Sequence, residues 1–306
     1  MRYHVGLPVD HVDAATEFVG ADAIAEMARA AEAAGFTSVY VTEHPFPEDE
    51  WLRTGGHHAL DPFVALSFAA AATSTLRLLT YLCVLPYRNP FLVAKAALSL
   101  DVLSGGRLTL GVGAGYMEAE FRALGVDFAE RNDLLDEGIQ AMVRAWTEDG
   151  VQMEGRHFHA AGNTMRPRPA QVPHPPIWVG GNSRRALRRA AELADGWLPM
   201  PNPRALAERR RSAPLETVDD LRAMAARIRE YRATSGREGT FEIVAMPFTW
   251  SFARGPGFDV AQFADHVHEL EELGVTGIAM GFPAPDRQQF IDAIGAFGDD
   301  VISEST

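Results

Sequence analysis

The sequence predicts an α/β fold, a (β/α)8 barrel, on three observations. Short runs rich in Val, Leu and Ile alternate with helical patterns rich in Ala, Glu and Arg. The alternation completes eight rounds, which is the strand and helix count of such a barrel. It also continues through the 306 residues without an internal repeat, a low-complexity tract or a linker, so residues 1–306 are expected to form one barrel domain. A doubly wound sheet would need fewer strands and an earlier glycine fingerprint.

The elements follow in order. The first strand is expected at His4–Pro8, with its helix over Ala21–Ala34 stopped by Gly35, because glycine takes the left-handed conformation that ends helices. Ser38–Thr42 is the second strand, separated by a long loop from an alanine-rich helix over Pro62–Thr73. Leu76–Leu85 is the third, followed by a helix from about Pro90 to Leu103. The turn Ser104-Gly105-Gly106 leads into the fourth, Leu108–Val112, and a helical stretch to about Glu148. Residues Asp149–Pro175 break the rhythm with Gly150, Gly155, Gly162 and four prolines, and read as an insertion of irregular or hairpin structure between strands four and five. Pro176–Gly180 is the fifth strand, with a helix over Ser183–Ala194. Gly196–Met200, Phe241–Met246 and Thr276–Phe282 are the last three, with helices near Val218–Thr234, Ala261–Leu273 and Asp286–Phe297.

Composition removes several function classes. The 41 acidic against 28 basic residues leave a net charge of −13, which argues against nucleic acid or an anionic membrane as partner. Cys83 is the single cysteine, so neither an intramolecular disulfide nor a cysteine-based metal site is expected. The apolar share of 47% supplies a core, while a long apolar span and a signal-peptide core are both lacking, so the expectation is a soluble cytoplasmic protein. Lys95 is the single lysine and falls inside a helical stretch, which argues against Schiff-base chemistry. The pairs His157/His159 and His266/His268 have the H-x-H spacing of some metal hydrolases. They fall in the insertion and within a helix rather than at a strand end, so no metal site is expected.

Barrels build their active sites from the loops at the C-terminal ends of the strands. The loop after strand two reads Thr42-Glu43-His44-Pro45-Phe46 and runs on to Trp51 and Gly55-Gly56-His57-His58. His44 falls at the strand end and is the natural proton-transfer group near neutral pH, unless it only braces the loop. Strand four ends in Gly111-Val112-Gly113-Ala114-Gly115-Tyr116, where glycines serve either close approach of a flat ligand or tight packing. Tyr116 stands where a dinucleotide fingerprint needs its last glycine, so the Rossmann reading fails. Strand five runs into Gly180-Gly181-Asn182-Ser183 and the helix Arg184-Arg185-Ala186-Leu187-Arg188-Arg189. Glycine amides, an N-capping side chain, a helix N-terminus and a basic stripe together read as a phosphate site, or else as a solvated helix face.

Taken together, these motifs resemble the bacterial luciferase-like family of flavin- and deazaflavin-dependent oxidoreductases. The segments that carry the likeness span about Tyr3–Pro201. They are Gly35-Phe36-Thr37-Ser38-Val39-Tyr40-Val41, Leu85-Pro86-Tyr87-Arg88-Asn89-Pro90, Leu103-Ser104-Gly105-Gly106-Arg107-Leu108 with the strand-four glycines, Pro175-Pro176-Ile177-Trp178-Val179-Gly180-Gly181-Asn182-Ser183, and Asp195-Gly196-Trp197. The resemblance implies a barrel, often dimeric, that binds FMN or coenzyme F420 at its mouth.

It further implies a cis peptide at Tyr81–Leu82, beside Thr80, that supports the cofactor's middle ring. Gly180, Gly181, Asn182 and Ser183 match the family's phosphate-binding loop, while Gly113 and Gly115 are candidates for close approach of the cofactor on the reading of the strand-four glycines above. His44 matches a histidine that faces the ring in deazaflavin-dependent members, some of which also have a tryptophan in this loop, as at Trp51. Phe46, Trp51 and Tyr81 would wall the pocket. Tyr116 departs from the branch that places a catalytic glutamate after strand four, which argues against a sugar-phosphate substrate. The leading expectation is therefore an F420-dependent oxidoreductase acting on a small organic substrate, served by an F420-reducing partner. The alternatives are an FMN-dependent monooxygenase supplied by a flavin reductase, and a non-catalytic flavin-binding barrel.

Overall fold

Eight parallel strands close on themselves. Their order around the barrel is Arg77–Thr80, Ser38–Val41, Arg2–Gly6, Gly277–Met280, Glu242–Ala245, Gly196–Leu198, Ile177–Gly180 and Leu108–Gly113, which returns to Arg77–Thr80. The computed structural model describes residues 1–247 and 259–303. The third strand has two pieces, Arg77–Thr80 and Cys83–Val84, parted at the cis peptide Tyr81–Leu82; both pair with the fourth strand. Each barrel strand is followed by a helix, among them Ala21–Ala33, Pro62–Ala72, Pro90–Leu103, Arg131–Thr147 and Arg184–Leu193.

Alternation along the strands separates two cores. Val39 and Val41 pack outward against the helices, whereas Tyr40 points into the barrel with Leu79, Tyr81, Trp178, Leu198, Val244 and Ala279. The helices after strands two and three open identically in design. Asp61 accepts hydrogen bonds from the Phe63 and Val64 amides, Asn89 accepts one from Phe91, and a proline follows each cap.

The insertion is a hairpin, Val151–Gly155 paired antiparallel with Phe158–Asn163. Buried Asp101 then pins the return segment, accepting from the Ala170 amide (2.8 Å) and from Gln171 Nε2 (2.7 Å). Strand ends differ from the expectation where proline intervenes. The sixth strand stops at Leu198 because Pro199 has no N–H to donate. The first runs Arg2–Gly6, two residues earlier than expected, because the Arg2 amide already pairs with Thr276 O (3.3 Å). The stretch after strand four is broken into Glu118–Ala123, a short turn and Arg131–Thr147, with Gly125 at φ +74 between them. Among the described residues, no helix is long and apolar enough to cross a membrane.

Candidate active site

A cavity of about 590 Å³ opens at the C-terminal mouth of the barrel. It brings together most of the residues singled out in the sequence: His44, Trp51, Tyr81, Leu82, Gly113, Gly115, Gly180, Gly181, Asn182 and Ser183 all line it. Thr80 does not. The strand alternation that sends Leu79 inward turns Thr80 away, and its buried hydroxyl donates to Gly111 O (2.7 Å). Phe46 is likewise misassigned as a pocket wall, being 69% exposed and outside the lining.

The strand-four glycines serve packing. A Cβ on Gly111 would lie 2.1 Å from Thr80 O, one on Gly113 would lie 2.8 Å from Leu82 Cδ1, and one on Gly115 would lie 2.7 Å from Val84. Gly180 faces the same leucine, at 2.4 Å. Glycine at these positions is therefore what lets Leu82, beyond the cis peptide, lie across the cavity floor.

Glu43 fixes this floor from the loop after the second strand. Its buried carboxylate accepts from the Val84 amide (2.6 Å) and from Arg88. Burial pushes the Glu43 carboxyl up, and the Arg88 guanidinium only partly offsets this.

On one wall, three rings gather around His44. His44 lies 4.5 Å from Trp51 and 4.9 Å from His57, centroid to centroid, with Tyr116 at 6.2 Å. The Gly55-Gly56 pair permits this, because a Cβ on Gly56 would meet the Trp51 ring at 2.2 Å. Behind His44 stands Glu120, fully buried. Its Oε2 is 3.3 Å from His44 Nδ1 and accepts from the Tyr87 hydroxyl (2.7 Å), while Oε1 accepts from the Phe46 amide (3.1 Å). Burial opposes its ionisation, but the hydrogen bonds from His44 and Tyr87 win and hold the carboxyl below the usual range. Glu120 carries no signal in the sequence, since a buried acid on a short helix is defined by what folds around it.

On the opposite wall, Ser183 caps the helix Arg184–Leu193 by accepting from the Ala186 amide (3.2 Å), and Gly181 has φ +105. The basic stripe expected beside this loop is largely neutralised. Arg185 pairs with Asp133 and Asp136, and Arg189 is buried against Asp136. Asn182 is also occupied by the fold: its amide donates to Met200 O (2.7 Å) and Ala213 O (3.2 Å) and accepts from the Met200 amide (3.2 Å). What it holds in place is the segment that delivers Arg209, Arg210 and Arg211 to the cavity rim. Among the described residues, neither Arg209 nor Arg210 has a carboxylate within ion-pair distance. Arg211 reaches Glu118 (3.0 Å) and, with Arg131, flanks the Phe128 ring.

The H-x-H pairs take no part. His157 and His159 are exposed and bonded to Glu130 and Glu154, and no group of three or more His, Cys, Asp or Glu among the described residues is arranged to hold a metal ion.

Comparison with known proteins adds a family to this geometry. The family model for luciferase-like monooxygenases matches residues 1–255, continuing past Pro201 where the motifs ended. An uncharacterized protein of Mycobacterium tuberculosis (strain ATCC 25618 / H37Rv) is 30% identical over 293 residues, covering 89% of this chain and 92% of its own. The FMNH(2)-dependent dimethylsulfone monooxygenase of Pseudomonas putida is 29% identical over 225 residues, covering 72% of this chain and 58% of its own. Among solved structures, monooxygenase RslO1 from Streptomyces bottropensis has a TM-score of 0.74 at 22% identity over 100% of both chains. The coenzyme F420-dependent tetrahydromethanopterin reductase from Methanopyrus kandleri has 0.69 at 18%, over 100% of this chain and 99% of its own. At such identities those two establish fold alone. With its closed barrel and a family match over residues 1–255, the chain is an enzyme that belongs to the luciferase-like monooxygenase family.

Proposed function

We propose that the chain, working as one domain, is an oxidoreductase that uses coenzyme F420 on a small organic substrate. The observation that carries this reading is the arginine rim. Arg209, Arg210 and Arg211 stand in succession around one cavity of a protein whose net charge is −13, and among the described residues the first two have no carboxylate within ion-pair distance. FMN offers such a rim a single phosphate, whereas F420 has a longer, multiply charged tail.

The residues present fit the coenzyme. The Tyr81–Leu82 floor suits a flat ring, the Gly180–Ser183 loop and helix start suit the phosphate, and the rim suits the tail. When bound, F420 would supply hydride exchange with the substrate. His44 would hold or release the accompanying proton at Nε2, since Nδ1 faces Glu120. Trp51, Tyr116 and His57, whose rings gather around the His44 ring, would limit water around it.

Titration with F420 and with FMN, by fluorescence or calorimetry, tests the reading. F420 should bind more tightly, and its affinity should fall as salt screens the rim. Micromolar FMN binding with none for F420 would overturn it. That result would favour an FMN-dependent monooxygenase with a separate flavin reductase, a reading supported by the likeness to the Pseudomonas putida enzyme.

The proposal extends to a cytoplasmic homodimer. Helix Pro62–Ala72 is apolar except for Ser67, a composition that belongs to helices covered on most sides, yet Val64 and Phe68 are exposed. Leu92 and Leu103 on the neighbouring helix are exposed as well.

A further inference from the structure

We propose that Glu120 is a positioning residue that sets the tautomer of His44, keeping the ring proton on Nδ1 and so leaving Nε2 free to exchange protons in the cavity. The proposal deepens the reading of His44 as the proton carrier and rests on it.

Donors and acceptors around Glu120 decide the matter. An ionised carboxylate can only accept. Glu120 is fully buried, and three donors converge on it: the Phe46 amide on Oε1, and the Tyr87 hydroxyl together with His44 Nδ1 on Oε2. Tyr87 is held as a donor, because burial and its bond to Glu120 raise its phenol far above the usual range. With Glu120 ionised, the 3.3 Å approach of His44 is attractive only if Nδ1 carries the proton. His44 Nε2 has no hydrogen-bond partner among the described residues, and its ring lines the cavity.

Replacing the carboxylate by its own amide inverts this logic without changing shape. In Glu120→Gln, the side-chain oxygen must stay on the Phe46 amide, because turning the NH2 group there would set donor against donor. The NH2 group then occupies the place of Oε2 and faces His44 and Tyr87. His44 Nδ1 must now accept, so the neutral ring carries its proton on Nε2. An imidazole locked in that form is the wrong tautomer for the same task, the known consequence of an acid-to-amide change behind a catalytic histidine.

The test reads imidazole nitrogen shifts by NMR in cofactor-free protein with labelled histidine, taking the His44 resonances from a His44→Gln comparison. Under conditions where the ring is neutral, the parent should show Nδ1–H and Glu120→Gln should show Nε2–H. Tyr87→Phe keeps the carboxylate and should retain Nδ1–H, which separates a change of tautomer from a general loosening of the site. A parent ring protonated on Nε2, or a Glu120→Gln ring unchanged from the parent, would overturn the proposal. Titrating both proteins with F420 keeps the two readings apart. Affinities within a few-fold of each other support a role in positioning the proton rather than in binding. Lack of F420 binding by the parent would remove the proposed coenzyme and leave the tautomer result standing.

Discussion

Asn182→Ala should loosen the cationic rim from the phosphate loop. Asn182 is 2% exposed, and its side chain makes three hydrogen bonds to the segment that follows strand six: two donated, to Met200 O and Ala213 O, and one accepted from the Met200 amide. The residue lines the cavity, so water can reach the vacated groups, and each lost bond then costs its net value of ~1 kcal/mol, for a total of about 2–3 kcal/mol. Unfolding entropy of ~2.1 cal/mol/K per residue over 306 residues makes this a fall in Tm of roughly 3–5 °C. Asn202 still ties the same segment through its bonds to Ser212 O (2.9 Å) and Ala213 O (3.1 Å), so the barrel should remain folded.

The functional consequence should be larger than the structural one, because Arg209, Arg210 and Arg211 lie within the loosened stretch. Cofactor affinity should drop by an order of magnitude or more and lose part of its salt dependence. Asn182→Asp is the sharper control: it keeps the shape and the acceptor, but turns a carboxylate toward two carbonyl oxygens, and should cost more than alanine. Scanning fluorimetry and cofactor titration on the purified variants suffice. An alanine variant with parental Tm and parental affinity would show that Asn182 does not anchor the rim.

Two further outcomes are expected. Phe68→Glu should convert a dimer to monomers in sedimentation or light scattering, because a charge in an apolar interface cannot be desolvated without a partner; unchanged mass would place the dimer contact elsewhere. His4 is held neutral by burial, aided by Arg2 and Arg77, and its pKa is pushed down to about 3. Below its ordinary pKa of about 6.5 the unfolded chain therefore takes up a proton that the fold refuses, and the stability His4 contributes above that pH is lost between about 6.5 and about 3. His4→Gln should flatten this part of the Tm–pH curve, and a curve parallel to the parent's would refute the assignment.

How much of this was legible in the sequence depends on how local each cause is. The barrel is local in this sense: strands buried on both faces read as short apolar runs, and caps such as Asp61 and Asn89 sit next to the helices they start. His44, Trp51 and Gly180–Ser183 were legible because loops at the C-terminal strand ends must face the mouth. The strand-four glycines were legible as special but not in purpose. Their neighbours Leu82, Val84 and the Thr80 carbonyl come from another strand, so only the folded register shows that packing is what they permit. Thr80 failed for a related reason, since a single-residue change of side in a strand reverses which way a side chain points. Glu120 and Tyr87 meet across 33 positions of chain, beyond the reach of any spacing argument.

The arginines carry the same lesson into electrostatics. Along the helix Arg184–Leu193 they read as phosphate-binding charge, while Arg209-Arg210-Arg211 matches no motif and is not singled out. Folding exchanges these roles. Asp133 and Asp136, from the helix after strand four, take up Arg185 and Arg189, so that pair contributes shape and a fixed helix start more than free charge. Arg209 and Arg210, without a carboxylate partner among the described residues, keep their charge available to a ligand at the rim. An acidic chain can thus present a cationic mouth because attraction depends on which charges are left uncompensated within a Debye length, about 8–10 Å, and not on the total.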